Sequence, residues 1–343
     1  MRLMLRRRTV LVLLGGAMAS RSLGGVPTGE APKEGLRLVP PTAGQTVLDG
    51  SVRAGVFMDT GTGRPESGMF GNVRKFADGS PRFHEGIDIA PAQPWRRNRN
   101  PKDGVRAAAD GLVVYVNRCT QNPSLYGNYV VLTHPVAGFG EVYTLYAHLR
   151  TFAEGLRAGQ TVRAGHPLGV MGHTPDFPLA RAHLHFEIGV MMNRHYPLID
   201  PQHGVWNGAN LYGIDPCVAF AEQRAKGCFD IASHFKGRRK AAWVAVAPPG
   251  ALPDFFRRYP TLWQGEHRDA WPMAVRFSYE GIPLAGRCLP PGTSLPRTAE
   301  WVADPAERRK GRDWADAKRG ATLLENLLVS PTCPCLLYTS PSP

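Results

Sequence analysis

The sequence predicts a mainly β fold: an antiparallel sheet, open or sandwich-like, followed by a less regular α+β extension. Three observations predict it. The 343 residues include 38 Gly and 31 Pro, with 43% apolar and 20% charged side chains, a mix that suits short strands and turns more than a helical bundle. From 51 to 204, short runs rich in β-branched and aromatic residues alternate with turn residues, and long helical periodicity is absent. From 205 onwards the texture changes to Trp, Pro and Arg in irregular order.

Taken in chain order, MRLMLRRR is a positive stretch, TVLVLLGGAMA is an apolar run too short to span a bilayer comfortably, and Ala17-Met18-Ala19 is a small-x-small cleavage pattern. Residues 1–19 therefore read as a signal peptide, and export to the periplasm, or otherwise secretion, is expected. No other stretch is apolar enough to cross a membrane, so no stable membrane span is expected after cleavage. Residues 20–50, rich in Gly, Pro and Thr, read as a linker. In the domain at 51–204 the clearest strands are GLVVYVN (111–117), NYVVLTH (128–134), EVYTLYAHL (141–149) and AHLHFEIGV (182–190). In the extension at 205–330 the pattern predicts a helix over 216–226, one strand over 274–286 and a helical stretch over 297–328 broken at Pro305. No catalytic motif or repeat stands out there. The tail at 331–343 fits nothing before it; it reads as a translated adapter sequence or a disordered Pro/Ser segment, and the natural C-terminus is expected to be missing.

The net charge of +13 favours a polyanionic partner or surface. No nucleic-acid recognition motif accompanies it, and the arginines are dispersed, as in WRRNRN (95–100), KGRRK (236–240) and AERRKGR (306–312). Nucleic acid is therefore not expected as a partner; a solvated surface or attraction to an anionic envelope polymer is. Export would permit disulfides. Cys217 and Cys228 flank the segment VAFAEQRAKG and are the pair expected to bond, although the sequence itself does not choose among the pairings.

Chemistry concentrates in three short motifs. In AHLHFEI, strand alternation puts His183, His185 and Glu187 on one face and Leu184, Phe186 and Ile188 in the core. In FHEGIDI, His84 and Asp88 are four apart and share a side, Gly86 between them permits a sharp turn, and Ile87 and Ile89 would pack inward. In YTLYAHL, His148 ends a strand whose other face carries Tyr143, Leu145, Ala147 and Leu149. Each motif is weak alone. Together they supply five residues, three to bind a divalent metal and two to move protons, the parts of a metal-dependent hydrolase with an open coordination position. Glu187 shares the face, but with two histidines present it is expected to support them, not to act as the base. His134 and His173 lie in the same region and are expected to be structural or surface residues.

The order H-x-x-x-D, aromatic strand ending in His, then H-x-H resembles the lysostaphin/LytM-type zinc endopeptidases, peptidase family M23. FHEGIDIAP, VRAAADGLVVYV, YGNYVVLTH, YTLYAHL, GLRAGQTVRAGHPLGVMGHT and HLHFEI follow that family's blocks, together spanning roughly 67–201. The resemblance implies a metallopeptidase domain with one Zn2+ held by His84, Asp88 and His185, and His148 and His183 as the catalytic pair. It implies hydrolysis of peptide bonds in cell-wall peptidoglycan stems or cross-links. D-Ala to diaminopimelate is the bond expected, since the chain is Arg-rich and lacks a wall-binding repeat. Related proteins that lost ligands act as non-catalytic activators of other wall hydrolases; that role, or proteolysis of proteins, is the alternative. The chain departs from the family in TPDFPLARAHLHF, which lacks the usual Gly-Pro, and in the insertion WRRNRNPKDG (95–104).

Overall fold

Alternating apolar residues build strands that stack in two layers. In the computed structural model, the structure describes residues 35–43, 56–59, 63–75, 81–92, 101–173, 181–237, 243–247, 249–278, 281–293 and 327–328. The expected signal peptide, the tail, most of the expected helix over 297–328 and much of the expected linker lie outside the described residues.

The strands run β1 Val73–Lys75, β2 Pro81–Phe83, β3 Ile87–Ile89, β4 Gly104–Arg106, β5 Gly111–Asn117, β6 Tyr129–Val136, β7 Gly140–Ala147, β8 Leu149–Phe152, β9 Thr161–Val162, β10 Pro167–Met171, β11 Leu184–Met191 and β12 Leu211–Ile214. The order β12-β11-β7-β6-β5-β9 forms the main sheet, with β3 added beside β11. A smaller sheet, β4-β10-β8, lies apart from it, and β1 and β2 form a hairpin. Every pair in these sheets is antiparallel. The architecture is the sandwich-like antiparallel one that the sequence predicts.

One face of the main sheet supplies Val113, Val130, Leu132, Tyr146, Leu184, Phe186 and Ile188 to a single core shared with Val105, Leu168 and Met171 of the smaller sheet. The Tyr146 hydroxyl accepts the Ala108 N–H at 2.7 Å, so its polar end is satisfied inside that core. The opposite face carries a second cluster that includes Tyr129, Tyr143, Leu145 and Ala147. Part of the segment read as a linker joins the domain: Leu36 and Leu38 are buried, and Leu36 bridges to Phe229.

β7 and β8 are nearly one strand, separated by His148 alone. His148 has φ +60, the single non-glycine left-handed residue among the described ones. There the chain leaves the main sheet, where β7 pairs with β6 and β11, and enters the smaller one, where β8 pairs with β10. The His148 N–H donates to the Tyr126 carbonyl at 2.9 Å, which holds the kink. An L-residue in this region costs about 1 kcal/mol or more, a cost tolerated where function needs the side chain.

Helix α1, Pro216–Lys226, matches the expected span. Asp215 caps it by accepting the Cys217 N–H, Pro216 fits its first turn, and Gly227 at φ +83 ends it. The expected Cys217–Cys228 disulfide does not form. The helix between them is the reason. At about 1.5 Å per residue it separates the two by roughly 16 Å, against a limit near 7 Å between bridged Cα atoms.

Beyond α1 come α2 Ile231–Gly237, β13 Trp243–Ala247, α3 Asp254–Arg258, β14 Trp263–Gln264, β15 Met273–Phe277 and β16 Pro283–Cys288. The one strand expected over 274–286 is two: β15 and β16 pair as an antiparallel hairpin turning at Gly281, which has φ +80. With β13 and β14 they make a four-stranded sheet in which only β14 and β16 run parallel. No helix among the described residues is long and apolar enough to cross a membrane.

His134 is buried in β6, its Nδ1–H donating to the Asp110 carbonyl (2.7 Å) and its Nε2 facing the Thr144 hydroxyl at 2.8 Å. Burial pulls its pKa down to about 4. The unfolded chain therefore binds this proton first, so His134 contributes stability that is full above about pH 6.5 and is lost as pH falls towards 4, up to about 3 kcal/mol. Urea unfolding at pH 7.5 and 4.5 should show a smaller loss for H134Q than for wild type; equal losses would refute this role. A second expectation concerns the kink. H148G should be about 1 kcal/mol more stable than H148A in the same assay, because only glycine adopts φ +60 without strain.

Candidate metal centre and catalytic histidines

Register brings the first and third motifs together. β3 pairs with β11 so that Asp88 lies directly opposite His185, while β7 on the other edge of β11 sets Ala147 opposite His185 and Leu145 opposite Glu187. Ile87, Ile89, Leu184, Phe186 and Ile188 face the core, as alternation requires. The two ligand-bearing strands are thus fixed by apolar packing on the face opposite the site.

Three donor atoms converge. Asp88 Oδ1 lies 3.1 Å from His84 Nε2 and 2.9 Å from His185 Nδ1, and the two imidazole nitrogens are 3.1 Å apart. All three residues are buried. Outer contacts set which nitrogen faces inward. His84 Nδ1–H donates to the Met69 carbonyl at 2.8 Å, and His185 Nε2–H donates to Glu187 Oε1 at 2.8 Å. Each ring therefore turns a lone pair towards Asp88, and three lone pairs about 3 Å apart repel unless a cation lies among them. Donors on a tetrahedral zinc, about 2.0–2.1 Å from the metal, stand about 3.3 Å from one another. The donor set, its spacing and its buried carboxylate fit Zn2+.

Gly86 acts differently from the turn residue expected. It does not take a positive φ; a Cβ there would collide with the Phe186 carbonyl and stand 2.9 Å from Glu187 Cγ and 3.0 Å from His185 Cε1. Its bareness lets β3 approach β11 closely enough for the donors to meet.

Titration follows the same contacts. Burial lowers the His84 pKa to about 4 against the pull of Asp88. Burial alone would raise the Asp88 carboxyl, but the charges of His84 and Arg74 hold it well below the usual carboxylate range. For His185, burial is outweighed by the hydrogen bonds to Asp88 and Glu187, which raise its pKa. A proton on His185 occupies the position that a metal would take, so metal binding there releases it.

His183 and His148 stand beside this triangle. His183 Nδ1–H donates to the Arg181 carbonyl at 2.7 Å, leaving Nε2 pointing at the site, 3.8 Å from Asp88 Oδ1. Burial lowers its pKa, so the ring is neutral at pH 7 and able to accept a proton. The His148 ring lies 4.6 Å from that of His183 and 6.0 Å from that of His185. The face assignment for His148 needs correction. Tyr143, Leu145 and Ala147, in the second buried cluster, lie on the same face as His185 and Glu187 and so on the side of the site; strict alternation would send His148 to the other side beside Tyr146. The left-handed turn at His148 reverses the alternation and returns its ring to the site.

All five sequence-predicted residues therefore meet. Further residues support them, Glu187 as expected and the rest outside the motif reading. Glu187 accepts from His185, from Tyr126 (2.8 Å) and from Tyr143 (2.7 Å), so it anchors a ligand and has no oxygen aimed at a substrate. Arg74 donates to Asp88 Oδ2 at 2.6 Å. Arg181 is held by Asp59 at 3.0 Å and steadies the carbonyl that orients His183. Of these, Glu187 alone carried a signal, its shared face with His183 and His185 in AHLHFEI. The segments WRRNRN and TPDFPLA, expected to border the cleft, lie outside the described residues.

No curated protein matches the chain. Among solved structures, similarity is found to a zinc-containing peptidase from Vibrio cholerae (28% identity, 35% of this chain and 31% of that one, TM-score 0.26). It is found also to a putative glycyl-glycine endopeptidase LytM from Ruminococcus gnavus (26%, 41% and 47%, 0.28) and to the catalytic domain of lysostaphin, an antimicrobial peptidase from Staphylococcus simulans (20%, 45% and 88%, 0.30). The chain spans about a third of the length of the Vibrio protein and about half that of the Ruminococcus one. Residues 82–197, which hold all five site residues, match peptidase family M23, the lysostaphin/LytM-type group whose motifs this sequence resembles.

Proposed function

We propose that the chain is an exported zinc-dependent endopeptidase that hydrolyses peptide bonds of cell-wall peptidoglycan, its cross-links in particular. The observation that carries this reading is the convergence of His84, Asp88 and His185 as three inward lone pairs, with two more imidazoles beside them. The peptidoglycan substrate rests on the resemblance to the family, with the basic charge compatible with an anionic wall. Export rests on the charged, apolar and small-residue pattern of residues 1–19.

Bound by His84, Asp88 and His185, zinc supplies Lewis acidity that polarises a carbonyl and acidifies water. The chain's own residues do the rest. His183 is the base: with its Nδ1 proton committed to Arg181, Nε2 takes a proton from the attacking water and returns it to the leaving amine. His148, on the same side, donates a hydrogen bond to the carbonyl oxygen as negative charge grows there. Glu187 keeps the His185 ring in place during turnover.

Purified sacculi digested with the protein, with and without a chelator, and read by mass spectrometry of the released muropeptides, test the proposal. Expected are new peptide ends that vanish with the chelator. H183A should retain zinc but lose about 100-fold or more in rate, while H185A should lose zinc. A protein that binds no zinc, or an H183A variant as fast as wild type, would overturn the enzyme reading in favour of a non-catalytic activator. Cleavage of casein but not of sacculi would move the substrate to proteins.

A further inference from the structure

The contacts of Arg74 reach past the three donors. Its guanidinium lies between two fixed acceptors. Nε donates to the Ser67 carbonyl at 3.0 Å, Nη2 reaches the same oxygen, and Nη2 also donates to Asp88 Oδ2 at 2.6 Å. Ser67 is buried in a 3-10 turn, Pro65–Gly68, and its own hydroxyl is tied to the Arg64 carbonyl at 2.7 Å. The acceptor that anchors the guanidinium is therefore itself held. The side chain of Arg74 is 14% exposed and that of Asp88 is 1% exposed, so the pair is shielded from water.

The two oxygens of Asp88 are thereby divided. Oδ1 faces His84 and His185, at 3.1 and 2.9 Å, while Oδ2 faces Arg74. A free carboxylate can offer a cation both oxygens; one whose second oxygen accepts a short, charge-assisted hydrogen bond offers one. The planar fork of arginine suits this bridge, because it spans Ser67 and Asp88 with donors in fixed positions.

We infer that Arg74 is a positioning residue for the metal centre: it reserves Asp88 Oδ2, fixes the carboxylate plane and presents Oδ1 alone to the cation. It acts through the ligands, donating to Asp88 and lying 3.2 Å from His84 Nδ1 through Nη2. The inference rests on the zinc reading above and extends it to a residue outside all three motifs, ten positions before His84 on the β1–β2 hairpin. That hairpin becomes part of the metal-binding apparatus, and its register (Arg74 opposite Arg82) becomes a determinant of affinity.

The test is zinc affinity of the full chain, measured by competition with a chromophoric chelator, for wild type, R74M and R74K. Methionine keeps the length of the stem without charge or donors; lysine keeps the charge without the fork. R74M is expected to bind zinc about 10- to 100-fold more weakly, with thermal unfolding of the metal-free protein showing that it is folded. With Co2+ in place of zinc, its visible absorption should fall, because a carboxylate able to bind through both oxygens raises the coordination number. R74K is expected to stay about fivefold or more weaker than wild type. A folded R74M within about threefold of wild type, with the same Co2+ spectrum, overturns the inference. Should R74M not fold, R74K decides, and wild-type affinity in R74K overturns it. A wild-type chain that binds no zinc is a different failure and removes the metal reading itself.

Discussion

Three lone pairs aimed at one buried point are the constraint on which the rest of this domain depends. His84 Nε2, Asp88 Oδ1 and His185 Nδ1 stand about 3 Å apart in buried residues, where repulsion is poorly screened. Left to themselves the rings would rotate and the carboxylate would turn away. Each is prevented by a specific outer partner: the Met69 carbonyl for His84, Glu187 for His185 and Arg74 for Asp88. Those partners are held in turn, Glu187 by two tyrosine hydroxyls and Arg74 by the Ser67 carbonyl. The site is a layered arrangement in which polar groups that would be costly to bury are made tolerable by fixing where their protons lie.

Sheet geometry supplies the positions. A one-residue slip between β3 and β11 would swap Asp88 for an isoleucine on the site face, so the core residues Ile87, Ile89, Leu184, Phe186 and Ile188 enforce the three-donor cluster by enforcing register. His148 shows the other device. A strand crossing between sheets must break its alternation somewhere, and here it breaks at His148, whose ring is thereby returned to the three-donor cluster. The strain there is consistent with chemistry placing a demand that local backbone preference does not favour.

Much of this was legible in the chain. β5 matches its expected span, β6 and β11 agree to within two residues at either end, and the five motif residues assemble. What was missed shares a physical cause. The face of His148 depends on one left-handed residue, which period-2 alternation cannot reveal. Tyr126 and Arg181 act through contacts to residues distant in the chain, Arg74 acts from outside the motifs, and a lone arginine among 41 basic residues carries no pattern. β12 is four residues long and follows two 3-10 turns, so its apolar signal is too brief to read, and β15 and β16 are separated by residues 278–282 alone. The disulfide expectation failed because cysteines close in sequence are far apart across a helix.

The residues beyond 205 gain a function from the same geometry, although they contain none of the three donors. β12 pairs with the C-terminal half of β11, Ile188 to Met191, on the edge that β3 occupies at Leu184 to Phe186. Arg258 donates to the carbonyls of Met191 and Met192, and the Tyr259 hydroxyl donates to that of Glu141, closing the far ends of β11 and β7. Nearer the site, Tyr129 donates to the Trp206 carbonyl, and Gly208 lies so close to Tyr126 that a Cβ there would stand 2.7 Å from its hydroxyl. Tyr126 is one of the two tyrosines that hold Glu187, and Glu187 holds His185. The chain after the last motif therefore braces the strand that carries the ligand from two directions, along its hydrogen-bonded edge and through the tyrosine layer above it. In a site that holds three donors about 3 Å apart, that bracing is part of what makes the arrangement rigid enough to tolerate its own repulsion.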